Sequence, residues 1–166
     1  MTPTLTTERL TLRPYALGDF PAYAAFLATP RARFMGGPLD AEGAWAYFTN
    51  DVAQWALAGI GGLLVAPRSG GAPVGQVALC HGLFPEPELG WFLFDGHEGR
   101  GYATEAAAGL LRWARDTGAV ASLVSYIDAE NHASRRLAER LGATLDPAAA
   151  TPGGSPTLVY RHRSAA

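Results

Sequence analysis

The stretch "HEGRGYATEA", residues 97–106, sets two glycines, Gly99 and Gly101, around a positive Arg100 and then turns to the helix-forming run Thr104-Glu105-Ala106. Small residues opening directly into a helix mark a place where backbone N–H groups meet an anion. The first helical turn has donors without partners and carries a partial positive charge. A Walker A loop requires Lys and then Ser or Thr after its last glycine; Tyr102 and Ala103 follow Gly101, so that pattern fails. A dinucleotide fingerprint fits poorly. Thr104 takes its third small position, the motif follows several strands instead of the first, and no acidic residue ends the next strand at about 20 residues, Asp128 lying too far on. For two glycines taken alone, a plain turn before a helix is the remaining alternative.

Outward from this segment, the chain alternates between two periods. "ELGWFLF" before it reads as a strand, and "ATEAAAGLLRWARDTG" after it as a helix with Ala107, Leu110, Leu111 and Ala114 on one face and Gly118 as a stop. Further upstream, "RLTLRPY" alternates like a strand, and "GDFPAYAAFLATP" predicts a helix capped by Asp19, with Pro21 in its first turn and Phe20, Tyr23, Ala24 and Leu27 on one face. A second helix is expected after Asp40, with Trp45, Phe48, Val52 and Trp55 as its core stripe. "GGLLVAP", "PVGQVALC" and "ELGWFLF" form an antiparallel meander. Downstream come a strand in "AVASLVSYID", a helix from an Asn131 cap to Gly142, a loop "DPAAATPGGSP" that is mobile by composition, and a last strand "TLVYRHR". The expected architecture is a mixed α/β (α+β) sheet with helices on its faces.

Composition narrows the function. With 166 residues, 48% apolar and 17% charged, residues 1–166 are expected to fold as one domain with a substantial core. A net charge of −2 without a basic run argues against electrostatic binding of nucleic acid. The single Cys80 cannot form an internal disulfide, and "MTPTLTTERLTLRP" lacks the apolar run of a signal peptide. No apolar stretch is long enough to span a membrane. The expectation is a cytoplasmic protein. The histidines at 81, 97, 132 and 162 have no metal-ligand spacing, so no metal is expected.

"ELGWFLFDGHEGRGYATEAAAGLLRWA", followed by "NHASRRLAERLGA", resembles the core of the GNAT superfamily of N-acetyltransferases. The family's phosphate loop, Gln/Arg-x-x-Gly-x-Gly/Ala, falls on Glu98-Gly99-Arg100-Gly101-Tyr102-Ala103. The opening "TERLTLRPYALGDF" and the "ATEA" ending resemble the RimJ/RimL-type branch of ribosomal-protein-alanine acetyltransferases. The resemblance implies a largely antiparallel, splayed sheet of about six to seven strands with helices on both faces, and acetyl-CoA as cosubstrate. Its pyrophosphate would be held by residues 98 to 103, with Thr104 adding a hydroxyl donor and Arg100 a charge. The backbone of Phe92, Leu93 and Phe94 would meet the pantetheine arm, and Asn131 would bond it from the far side. One position departs from the pattern. Glu98 brings a carboxylate where the family has Gln or Arg, which costs about 1 kcal/mol against a solvated charge at 4 Å, so its side chain is expected to point away.

The chemistry follows from the acyl carrier. A thioester is already activated, so the protein needs only to orient a neutral amine, stabilise the oxyanion and protonate the departing thiolate. Glu88 is the candidate base, the alternative being a solvated strand-end carboxylate. In the branch that the chain resembles, the Ser of Asn-x-x-Ser is placed to donate to the thiolate, so the resemblance implies Ser134, in Asn131-His132-Ala133-Ser134, as the donor, the alternative being a serine bonded to its own helix. Cys80 as an acyl-carrying nucleophile is disfavoured, since direct transfer needs no covalent step. The acceptor would be a small amine or a protein N-terminus, with the cleft bounded by the first two helices and the loop before "TLVYRHR"; the protein would be a monomer or homodimer. Two rivals stand beside this reading: a non-catalytic acyl-CoA sensor or interaction module on the same fold, and a nicotinamide-dependent oxidoreductase using Gly99-x-Gly101.

Overall fold

A computed structural model describes residues 1–82, 86–151 and 156–163. Its strands are β1 (Leu5–Thr6), β2 (Leu10–Arg13), β3 (Gly62–Pro67), β4 (Gly75–Cys80), β5 (Glu88–Leu93), β6 (Val124–Asp128), β7 (Thr144–Leu145) and β8 (Thr157–Arg161). They form one mixed sheet in the order β1-β2-β3-β4-β5-β6-β8-β7. Eight strands exceed the expected six to seven because β1 and β7 have two residues each, too few to leave an alternating pattern. Four α-helices pack on the sheet: α1 (Phe20–Leu27), α2 (Ala41–Ala58), α3 (Tyr102–Thr117) and α4 (His132–Arg140). Among the described residues no helix is long and apolar enough to cross a membrane.

The two-residue period of the strands sorts the core into two layers. Leu63 and Val65 of β3, Val77 and Leu79 of β4 and Leu89 of β5 face Ala106, Ala107, Leu110, Leu111 and Ala114 of α3. The alanines bring this helix close to the strands. The alternate residues Leu64 and Phe92, with Phe94 just past β5, turn to Tyr23, Phe26 and Leu27 of α1 and to Ala44 and Phe48 of α2. Phe26 stacks on Phe92 with centroids 4.5 Å apart. Helices therefore cover both faces, and the stop at Gly118 is as expected.

Two local expectations are corrected. Asp19 does not cap α1: its carboxylate turns back to the Ala16 N–H at 2.8 Å and to the Arg13 guanidinium at 2.7 and 2.8 Å. The charged partner outcompetes the helix end. On α2, Phe48 is buried and Trp55 half-buried, but Trp45 and Val52 are exposed, and the buried positions are Ala44, Phe48 and Asp51. The expected cap at Asp40 is present, accepting the Gly43 N–H at 2.8 Å. In the loop expected to be mobile, residues 152–155 lie outside the described residues.

Among the described residues the one parallel neighbour pair is β5–β6, joined through α3, and it carries a single ladder pair, Glu88 with Val124. The other pairs are antiparallel. Beyond Leu89, whose carbonyl accepts the Ser125 hydroxyl at 2.6 Å, β5 and β6 share no ladder pair. The sheet opens there into a V.

Candidate active site

A cleft of about 1170 Å³ opens at the V and reaches both faces of the sheet. On the α3–α4 face it meets Gly99, Gly101, Tyr102, Ala103 and Thr104, then Asn131 and Ser134. On the α1–α2 face it meets Tyr23, Tyr47, Asp51, Gln76, Cys80 and Glu88. Strand parity explains the second group. Glu88 shares a side of β5 with Phe92, and Gln76 and Cys80 share a side of β4.

The glycine loop is shaped for close approach. Gly99 and Gly101 have φ of +73° and +78°, and Gly101 occupies the N-cap position of α3. An added Cβ at Gly99 would meet nothing within 4 Å, so the space beside it is open. Arg100 is exposed and does not line the cleft. The Glu98 carboxylate is engaged by Arg31, which also pairs with Asp95; its charge is compensated in place, not simply turned to solvent.

The expected backbone donors divide by parity. Phe94 gives its N–H to the Val74 carbonyl at 2.9 Å and accepts the His97 N–H at 3.3 Å on its own carbonyl, and Phe92 sits opposite Gln76 with its carbonyl against Gly75, so both turn their backbone away from the V. Leu93, and Trp91 two residues before it, have the opposite parity, the one by which Leu89 reaches β6. They are the residues that present backbone to the V. Asn131 Oδ1 accepts the Ser134 N–H at 3.2 Å as an N-cap. The Ser134 hydroxyl is bonded neither to its own helix nor to any other described residue.

Glu88 sits where β5 and β6 begin to diverge. Burial pushes its carboxyl up to about 7, with the Tyr126 backbone N–H pulling the other way. Directly across the ladder is Cys80, whose thiol is pushed up by burial and then by the negative Asp51 and Glu88. That is the reverse of what a nucleophilic thiolate requires. Asp51 escaped the sequence reading. Only 4% exposed, it accepts from the hydroxyls of Tyr15 at 2.8 Å and Tyr23 at 2.9 Å and from Gln76 Nε2 at 3.0 Å. Burial raises its pKa against these donors. Gly62 makes the room, since a Cβ there would lie 2.6 Å from the Tyr15 hydroxyl and 2.7 Å from Asp51 Cβ. Among the described residues no group of three or more His, Cys, Asp or Glu side chains is placed to hold a metal ion.

A splayed sheet, a glycine loop capping the helix after its central strand, and a cleft through the opening define an acyltransferase scaffold of the GNAT type. The family model for the acetyltransferase (GNAT) domain matches residues 9–144, and the chain belongs to this family. It is similar to an acetyltransferase from Agrobacterium tumefaciens str. C58, with 50% identity, coverage of 99% of this chain and 96% of that one, and a TM-score of 0.93. A putative GnaT-family acetyltransferase from Bordetella pertussis has 26% identity, coverage of 98% and 100%, and a TM-score of 0.80. RimL, a ribosomal L7/L12 alpha-N-protein acetyltransferase solved in complex with coenzyme A, shares the fold at 15% identity, with coverage of 98% of each chain and a TM-score of 0.78. The expected likeness to the RimJ/RimL branch is thus met at the level of fold.

Proposed function

We propose that the protein transfers an acetyl group from acetyl-CoA directly to a primary amine. The observation that carries this reading is the position of Glu88: a half-buried carboxyl with a pKa of about 7, at the point where a cleft from the glycine loop reaches the other face of the sheet. A base needs a pKa near the working pH, and Glu88 meets that condition. The cosubstrate's pyrophosphate lies at the Gly99–Thr104 backbone, and its pantetheine arm runs along Trp91 and Leu93 toward the V. The amine enters between α1 and α2 and loses its proton to Glu88, directly or through water. An amine with a lysine-like pKa of about 10.4 is neutral only a few times in ten thousand at pH 7, so a base has a large population to act on. The Ser134 hydroxyl, approaching from α4, protonates the thiolate as the carbon–sulfur bond breaks.

The acceptor is a small amine or a protein N-terminus. Glu88 and the buried Asp51 make that end of the cleft suited to a group arriving as an ammonium ion. A thiol-release screen of small amines and of peptides with free N-terminal Ala or Ser tests the reading. The chain contains no lysine, all thirteen of its basic side chains being arginine, so the enzyme supplies no ε-amine of its own as background. Thiol release dependent on both substrates is the expected result. Coenzyme A binding without release to any amine would favour the non-catalytic sensor.

A further inference from the structure

The two sequence motifs at the edges of the cofactor segment, Thr7-Glu8-Arg9 and the Glu105 of "ATEA", bind each other across the fold. Glu105, in the first turn of α3, accepts the Thr7 hydroxyl at 2.6 Å and the Arg9 N–H at 2.7 Å on Oε1, and Arg9 Nε at 2.7 Å on Oε2. Burial works against the charged form, but these donors hold the Glu105 carboxyl below its usual range. The guanidinium so fixed donates from Nη1 to the Arg100 carbonyl at 2.9 Å and lies 5.0 Å from the centroid of the Tyr102 ring. Its Nη2 is 3.4 Å from where a Cβ on Gly101 would sit.

Arg9 does not line the cleft, whereas Gly99, Gly101 and Tyr102 do, so the guanidinium stands behind the loop. In a trans peptide the C=O and N–H point in opposite directions. Drawing the Arg100 oxygen back to Arg9 therefore aims the Gly101 N–H of the same peptide into the cleft. We propose that Arg9, anchored by Glu105, is a positioning residue for the phosphate loop: it presets the Gly101 N–H toward the pyrophosphate of coenzyme A without touching the cofactor. The turn between β1 and β2 thereby becomes part of the cofactor site. This rests on the cofactor half of the proposed function and is independent of the acceptor.

The test is calorimetry of the full chain with coenzyme A and with dephospho-CoA, which keeps the pyrophosphate but lacks the 3′-phosphate, alongside steady-state kinetics. Arg9→Ala is expected to weaken both ligands alike, by about tenfold or more. It should raise KM for acetyl-CoA at unchanged kcat and leave kcat/KM for S-acetylpantetheine, which has no pyrophosphate, as in the wild type. Arg9→Lys keeps the charge but reaches only one of the fork's two acceptors, and a several-fold loss is expected. Affinity within about twofold of wild type in folded Arg9→Ala overturns the proposal. So does full affinity in Arg9→Lys, which would make charge alone sufficient, or an equal loss with S-acetylpantetheine, which would mark a general structural role. Loss with coenzyme A but not dephospho-CoA would replace positioning by direct contact with the 3′-phosphate. A wild type that binds no coenzyme A would instead sink the cofactor reading itself.

Discussion

A carboxyl group lodged where water is scarce gives up its proton late, and at Glu88 that single property has consequences for both rate and stability. In the folded protein the group titrates near 7, against an unfolded value near 4.5. Between those values the folded state binds more protons, so stability contributed below pH 4.5 is lost as pH rises through 7. Glu88→Gln removes that loss. It is expected to raise stability at pH 7.5 by about 1 to 3 kcal/mol, allowing for partial exposure, and to lower kcat by about a hundredfold. The wild-type rise in rate around pH 7 should vanish with it. Urea denaturation and a pH–rate series measure the two; a variant that keeps the wild-type rate and profile would remove Glu88 as base. Ser134 is a milder case. A thiol with a pKa near 8.5 leaves tolerably without help, so Ser134→Ala should cost about 10 to 100 fold in kcat, or about 1.4 to 2.8 kcal/mol, with coenzyme A affinity little changed. Single-turnover rates decide it, and a parallel fall in affinity would make the serine a binding residue. Glu88 could be found in the sequence because it starts the strand that leads to the glycine loop, and Ser134 through the likeness of Asn131-His132-Ala133-Ser134 to the family's pattern. The pKa of Glu88 could not, because its burial arises from elements distant in the chain.

Among the elements, α2 and α3 show why patterning succeeds or fails. The buried residues of α3 are all apolar and recur at helical spacing, so the sequence displays the face directly. In α2 the buried stripe runs through Asp51, and a polar residue inside it breaks the apolar period. Trp45 and Val52, seven residues apart, offer a false stripe in its place. Asp51 is buried because Tyr15, Tyr23 and Gln76 from three other segments satisfy it, and no local signal announces such a network. The Arg9–Glu105 pair is hidden for the same reason, its members lying 96 positions apart. The loop that opens α3 was legible because its requirement is local: Gly101 holds a φ that a β-branched residue adopts only under strain. Gly101→Val should misdirect the helix-start N–H groups and weaken coenzyme A by more than about tenfold, while the α3 core keeps the protein folded. Calorimetry alongside circular dichroism checks this, and undiminished affinity in a folded variant would remove the phosphate cradle.

At the scale of the whole molecule, the functional feature is the opening between β5 and β6, and a buried polar pair sits at its root. Ser125 donates to the Leu89 carbonyl at 2.6 Å and meets His162 Nε2 at 3.0 Å, holding the strands just before they part. His162 is 2% exposed, and burial, then the positive Arg115, lowers its pKa to about 4. The unfolded chain takes up this proton near pH 6.5 and the folded one only near 4, so His162 makes stability fall as pH drops from 6.5 toward 4. Glu88 acts with the opposite sign, its contribution growing as pH falls from 7 to 4.5. Because the windows overlap and each shift is worth up to about 3 kcal/mol, the two should largely cancel in the wild type near pH 5 to 6. His162→Phe keeps the volume and leaves the Ser125 donor satisfied. The expected result is a variant whose stability, relative to wild type, improves by about 1 to 2 kcal/mol between pH 7 and pH 5. Glu88→Gln should move the opposite way over the same interval. Urea denaturation of all three proteins at both pH values measures the differences. A His162→Phe curve parallel to wild type would show that the imidazole is not held neutral at the root of the cleft.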